Sequence, residues 1–165
     1  MLDTGELAIL VDCGLVQGDK FAMEKNAEAF VYDPKVVDVL LVTHAHADHI
    51  GRIPKLVRDG FSGKIYSTTP TKELAGVMMH DALKVMQYEA KRFGQEVLYK
   101  EEDIDMALSL WQTVDYEEKF ILGADITAWY NDAGHILGSG MIHLVRGDKK
   151  IVFTGDIGNT PQPLL

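Results

Sequence analysis

Thr43-His44-Ala45-His46-Ala47-Asp48-His49 sets three imidazoles and a carboxylate side by side, directly after an apolar run. Such a density of nitrogen and oxygen donors has no use in packing, because each would need its own partner once buried. Alternation in an extended segment sends His44 and His46 to one side. A turn at Ala47 would bring Asp48 and His49 round to a second position nearby. Two groups of donors a few ångström apart are what a two-metal hydrolytic centre requires. The small alanines leave room for the ions. The competing reading is a solvated histidine-rich loop or an adventitious metal binder.

Two later segments extend the set. His135 lies in Asp132-Ala133-Gly134-His135-Ile136-Leu137-Gly138-Ser139-Gly140, where glycines permit tight turns around one histidine. Asp156, in Phe153-Thr154-Gly155-Asp156-Ile157-Gly158, closes an apolar run between two glycines, and its carboxylate could bridge two cations. Asp12 repeats the order of strand, aspartate and glycine without histidine neighbours. It is expected to accept an N–H from a ligand histidine. His80 is expected on the solvated side of a helix, and His143 packed or half-exposed within a strand. Asp81 falls amid an apolar helical face, where a carboxylate needs a partner. Cys13 is expected to be inert.

Elements that could position these residues are legible in the pattern. Leu7 to Val11 reads as a buried strand ending in a turn, and Val36 to Val42 as the strongest strand of the chain. A short helix fits Ile50 to Arg58, stopped by Gly60, and Lys64 to Ser67 reads as a strand. Thr69-Pro70 suits a helix cap followed by a first-position proline. That helix should run to about Phe93, with Leu74, Val77, Met78, Ala82, Val85 and Met86 on its apolar face. A second helix fits Asp103 to Trp111. Strands are then expected over 125–131, Met141 to Val145 and Ile151 to Thr154, the last two joined by a hairpin turn over Arg146 to Lys149. Strands first, helices in the middle and strands again suggest an α/β sandwich in which helices cover sheets.

The 165 residues suffice for one domain with a real core, and 47% apolar with 25% charged residues is ordinary for a globular protein. A run of about eighteen apolar residues is missing, so no membrane span is expected. The acidic start lacks the pattern of a signal peptide, and a single cysteine fits a reducing, cytoplasmic setting. A net charge of −9 argues against a broad basic surface for nucleic acid, although bound cations would reverse the potential of one cleft.

The order His-x-His-x-Asp-His, then a Gly-His segment, then a strand ending in Gly-Asp resembles the metallo-β-lactamase superfamily. Leu10-Val11-Asp12-Cys13-Gly14, Gly134-His135-Ile136-Leu137-Gly138-Ser139 and Phe153-Thr154-Gly155-Asp156-Ile157-Gly158-Asn159 look more like its RNA-processing branch, the β-CASP nucleases. The resemblance implies an αββα sandwich with the metals at the sheet edges. It implies that His44, His46 and His135 hold one zinc ion, Asp48 and His49 another, with Asp156 bridging them and Asp12 orienting a ligand. Asp48, His49 and Asp156 would then carry the catalysis. It implies a zinc-dependent phosphodiester hydrolase acting on RNA.

Members of that family begin with earlier strands. They continue past the Gly-Asp strand into a further domain and a late histidine that completes the second metal site. The chain is therefore expected to be a partial domain, inactive alone, with RNA contacts supplied from the missing domain. Its end at Thr160 to Leu165 would follow soon after a strand, and an open sheet edge would invite a homodimer. A small-molecule metallo-hydrolase of thioesterase or lactonase type, and a non-catalytic subunit of an RNA-processing complex, are the alternatives.

Overall fold

The computed structural model describes residues 1–18, 21–94 and 96–159; the expected chain end at 160–165 lies outside them. Two sheets stack with helices against one of them. The first sheet has the order β1 (Leu2–Asp3), β2 (Ala8–Val11), β3 (Val39–Leu41), β4 (Lys64–Ser67) and β5 (Trp111–Thr113). β1 is antiparallel to β2, and β2 to β5 run parallel. The second is an antiparallel meander of β6 (Phe120–Gly123), β7 (Ile126–Asp132), β8 (Gly140–Arg146) and β9 (Lys149–Phe153).

Parallel strands are covered on both faces, so their sequences run apolar without alternation. Val39, Leu40 and Leu41 are all buried. Leu10, Leu40 and Ile65 pack with Ile53, Leu56, Ala75, Met79 and Ile104 from the helices. Ile9, Val39, Leu41 and Tyr66 turn the other way and meet Ile126, Ala128, Tyr130, Ile142 and Leu144 between the sheets. The Tyr130 hydroxyl donates to the Tyr66 carbonyl at 2.9 Å and ties the two sheets together. β7 and β8 alternate buried and half-buried residues, as expected of a sheet with two different faces.

The connections carry the helices: α1 (Ala22–Ala27), α2 (Ala47–Ile50), α3 (Ile53–Arg58), α4 (Thr69–Phe93) and α5 (Glu101–Ser109). Several expectations are corrected here. Helix begins at Ala47 rather than Ile50 and breaks at Gly51-Arg52, so Asp48 and His49 sit in a helical turn of their own. The strand expected from Val36 shortens to Val39–Leu41 because Pro34–Val36 winds into a 3₁₀ turn, with the Asp33 side chain accepting from the Lys35 N–H. The cap of α4 is Thr68, one residue earlier than expected; Pro70 lies in its first turn and Gly94 ends it in the left-handed conformation. Trp111 starts a strand rather than ending α5.

The apolar face assigned to α4 is rotated. Its buried residues are Thr71, Ala75, Met79 and Leu83, spaced four apart, while Val77, Met78 and Val85 are exposed. The helix carries two apolar stripes, and a count of apolar residues favoured the outer one. Asp81 is consequently exposed and needs no buried partner. His80 is half-buried, its Nδ1 2.7 Å from the Gly76 carbonyl, rather than solvated.

Candidate metal centre

The candidate donors lie in loops at one rim of the two sheets. Asp12 follows β2, the 43–49 segment follows β3, the 133–139 loop joins β7 to β8, and Asp156 follows β9. These stretches are pulled together by backbone pairing that leaves little room. Cys13 N–H donates to the His49 carbonyl at 2.7 Å, Leu15 N–H to Ala47 at 2.9 Å and Arg52 N–H back to Cys13 at 2.9 Å. Gly14 is obligatory in that contact, because a Cβ there would stand 1.6 Å from the Asp48 carbonyl oxygen. On the other side, Gly140 N–H donates to the Thr43 carbonyl at 2.8 Å and joins the second sheet to the histidine segment.

Four side chains converge. His44 Nε2 and His135 Nε2 stand 3.0 and 3.2 Å from His46 Nδ1. Asp156 Oδ2 lies 3.9 Å from His44 Nε2 and 3.6 Å from His135 Nε2. One donor atom from each residue falls within 4.8 Å of all the others. The other carboxylate oxygen, Asp156 Oδ1, faces His49 Nε2 at 3.5 Å, and Asp48 Oδ2 stands 3.9 Å from that nitrogen. All six expected ligands are therefore at one rim, and Asp156 stands between the two groups expected of them. Among the described residues, His44, His46, His135 and Asp156 form the group compact enough to hold an ion as it stands.

Hydrogen bonding behind the cluster fixes which nitrogen faces inward. Asp12 adopts a left-handed backbone at φ 56° and folds its carboxylate over the end of β3. Its Oδ1 accepts from Thr43 N–H at 2.8 Å, and its Oδ2 accepts from the Thr43 hydroxyl at 2.8 Å. With its proton given to Asp12, the Thr43 oxygen accepts from His44 Nδ1 at 3.0 Å. His49 Nδ1 donates to the same Asp12 Oδ2 at 2.8 Å. Both rings thus carry their proton on Nδ1 and turn a lone pair on Nε2 toward the cluster.

The two rings differ in their electrostatics. Burial, followed by the neighbouring His49 and His46 rings, pushes the His44 pKa down to about 4 and keeps it neutral. The hydrogen bond to Asp12 raises that of His49. Three convergent imidazole nitrogens cannot satisfy one another, since a nitrogen needs a proton or a cation opposite its lone pair. Three nitrogens and one carboxylate oxygen are a donor set suited to a divalent ion of the zinc type. The residues therefore fit a metal.

The remaining candidates lie elsewhere. His143 stacks on Trp129 across the strand pair, ring centroids 4.8 Å apart and planes within 6°. Its pKa is lowered by burial and by Lys150, and both ring nitrogens are buried without a hydrogen-bond partner. Cys13 is buried, which pushes its thiol up to about 12 and leaves it unreactive. Sequence reasoning missed Thr43 and Ser139. Ser139 Oγ accepts from the His135 and Ile136 N–H groups at 3.1 and 3.2 Å. Their one sequence signal is adjacency, Thr43 to His44 and Ser139 to the Gly-His segment.

Comparison with known proteins gives the family of the chain. A metallo-beta-lactamase superfamily domain matches residues 1–165. A ribonuclease of Thermus thermophilus is 38% identical over 165 residues, which are all of this chain and 36% of that protein. Transcription termination factor FttA of Methanosarcina mazei is 36% identical over 163 residues, covering 94% of this chain and 24% of the relative. The chain thus spans between a quarter and about a third of the length of these relatives. Zinc-bound PqqB from Methylobacterium extorquens has a TM-score of 0.60 at 10% identity, over 99% of this chain and 54% of that one. A B3 metallo-beta-lactamase with an active-site glutamic acid has a TM-score of 0.53 at 19% identity, over 92% and 52%. These two share the fold.

Proposed function

Because the chain belongs to the metallo-β-lactamase superfamily, we propose that its rim cluster is the zinc centre of a phosphodiester hydrolase acting on RNA. The observation that carries this reading is the convergence of His44, His46, His135 and Asp156 from loops far apart in sequence. The RNA substrate rests on the ribonuclease and termination-factor names of the relatives. The β-CASP-like segments around Asp12, His135 and Asp156 support the same branch.

In this reading His44, His46 and His135 would hold one ion, and Asp48 and His49 a second, with Asp156 between them. Bound there, such ions polarise a phosphoryl oxygen and lower the pKa of water. The chain's own residues do the rest. Asp12 and Thr43 hold His44 and His49 in the tautomer that presents Nε2. Asp48 and Asp156, whose side chains are about half exposed, offer carboxylate oxygens at the mouth of the site where a proton from the attacking water can be taken up. The whole protein would supply the RNA path, the group that protonates the leaving oxygen and the closing strands. The isolated chain is then expected to turn over little RNA. The outer edge of β1 would also let two copies pair; a monomer by sedimentation at high concentration counts against such a dimer.

The decisive experiment is zinc content by elemental analysis of folded wild type and His46→Ala. The reading expects about one tightly held ion in the wild type, lost on substitution, and RNA cleavage by the whole protein that a chelator abolishes. A folded wild type without zinc, or cleavage indifferent to chelator, overturns it.

A further inference from the structure

The 133–139 loop that carries His135 is gripped by the first turn of α4. The Thr68 hydroxyl lies 2.6 Å and the Thr71 hydroxyl 2.8 Å from the Gly138 carbonyl oxygen, and the two hydroxyls are 3.0 Å apart. Both threonines are buried, Thr71 completely. Two donors on one carbonyl occupy both of its lone pairs. Thr68 is the N-cap of α4, a position whose hydroxyl ordinarily serves the helix's own N–H groups. Here it makes no side-chain cap and turns to the loop instead.

Contact is close on the loop side as well. Gly138 sits at φ +82°, and a Cβ there would stand 2.7 Å from the Thr71 nitrogen. The next residue, Ser139, accepts the His135 N–H on its hydroxyl, while its own carbonyl accepts from the Tyr116 hydroxyl at 2.8 Å. Three bonded steps therefore run from the start of α4 to the backbone of His135: threonine hydroxyl to Gly138 carbonyl, along the chain to Ser139, and from Ser139 Oγ to the His135 N–H. His135 is the histidine donor furthest in sequence from the His44–His49 segment. On its other side the loop is held by the Gly158 N–H, which donates to the Ala133 carbonyl at 2.9 Å.

We infer that Thr68 and Thr71 are positioning residues for His135, and that α4 sets how closely the His135 nitrogen approaches His44 and His46. The inference rests on the metal-centre reading and adds a part of the chain that the donor motifs do not contain. Removing a hydroxyl leaves the Gly138 carbonyl short of a donor in a buried place. The loop then gives way and carries Nε2 off the 3.2 Å approach to His46.

Zinc affinity, measured on the full chain by competition with a chromophoric chelator, tests this. Thr71→Val, nearly the same shape without the donor, should bind zinc roughly 10-fold more weakly or worse, the range found for groups that orient ligands. Thr71→Ser restores the donor and should return to within about 2-fold of wild type on the same scale. The visible absorption of the cobalt-loaded protein should change in the valine variant and recover in the serine one, which a purely stabilising role would not cause. If Thr71→Val fails to fold, Thr68→Val carries the test with the same readout and a smaller expected loss. Wild-type zinc affinity in the folded valine variant overturns the inference, as does a serine variant as weak as the valine one. A wild type that takes up no zinc overturns the metal-centre reading itself and removes the basis of this one.

Discussion

On one side of Asp156, nitrogens of His44 and His135 stand 3.9 and 3.6 Å from Oδ2, with His46 in the same group of donors. On the other, Oδ1 faces His49 alone, with Asp48 at 3.9 Å from the same ring. The first side is built across both sheets and anchored by α4. The second is one helical turn, Ala47–Ile50, pressed against Cys13 and Gly14. A full set of four donors needs nothing more to hold a tetrahedral ion, whereas three donors leave a position for water, substrate or another side chain. The difference teaches that occupancy should be unequal. The His44, His46 and His135 side is expected to keep its ion, and the Asp48 and His49 side to exchange it.

The strongest way to break this contrast is Gly14→Ala. A Cβ overlapping the Asp48 carbonyl oxygen forces α2 away from the β2 end. The expected cost is about 3 kcal/mol of stability, read as a lower denaturant midpoint, together with loss of the weaker ion. His46→Ala comes next. It removes the nitrogen that both other rings approach, and zinc affinity of the stronger side should fall by more than the roughly 100-fold limit of an orienting group. An unchanged stoichiometry by elemental analysis would show that the stronger side does not depend on His46.

Asp12→Asn sharpens the comparison rather than destroying it. It weakens the charge that holds His49 and Thr43, and should reduce affinity about 10- to 100-fold, with His49 as the ring held directly. Titration of the two ions separately checks whether the weaker side suffers more. The smallest effect belongs to His143→Phe, which keeps the stack on Trp129 and removes two buried nitrogens that have no partner. Zinc binding should be unaltered and stability unchanged or raised by about 1 kcal/mol, because no hydrogen bond is lost; a zinc defect would tie the outer sheet face to the rim.

The contrast also explains what was legible in the sequence. Candidate donors announce themselves through type and spacing, and the strands before them through apolar runs, so His44, His46, Asp48, His49, His135 and Asp156 could be named as candidates before any fold was known. Asp12 could be expected behind them because it repeats the order of strand, aspartate and glycine without histidine neighbours. The face of α4 was not legible, since Ala75, Met79 and Leu83 compete with an equally apolar stripe through Val77 and Val85. Only tertiary contact with the first sheet decides between the stripes. Thr43, Thr68, Thr71 and Ser139 were invisible for another reason. Hydroxyls are common everywhere, and what they do depends on which carbonyl or ring the fold brings to them. The short strands β1, β5 and β6 escaped because pairing with neighbours, rather than their own composition, makes them strands.

The separation of the donors along the chain has a kinetic consequence. His46 meets His135 across 89 residues, and Asp12 meets His49 across 37. Contacts that distant form late, after the intervening loops have been closed and both sheets have docked. A cation present during refolding would first meet only the local run from His44 to His49, in whatever conformation the collapsing chain allows, and binding there lends the unfolded state some of the stabilisation meant for the native one. Refolding with zinc should therefore be no faster than refolding without it, and an excess of the ion should slow it. The finished ring records that assembly is over.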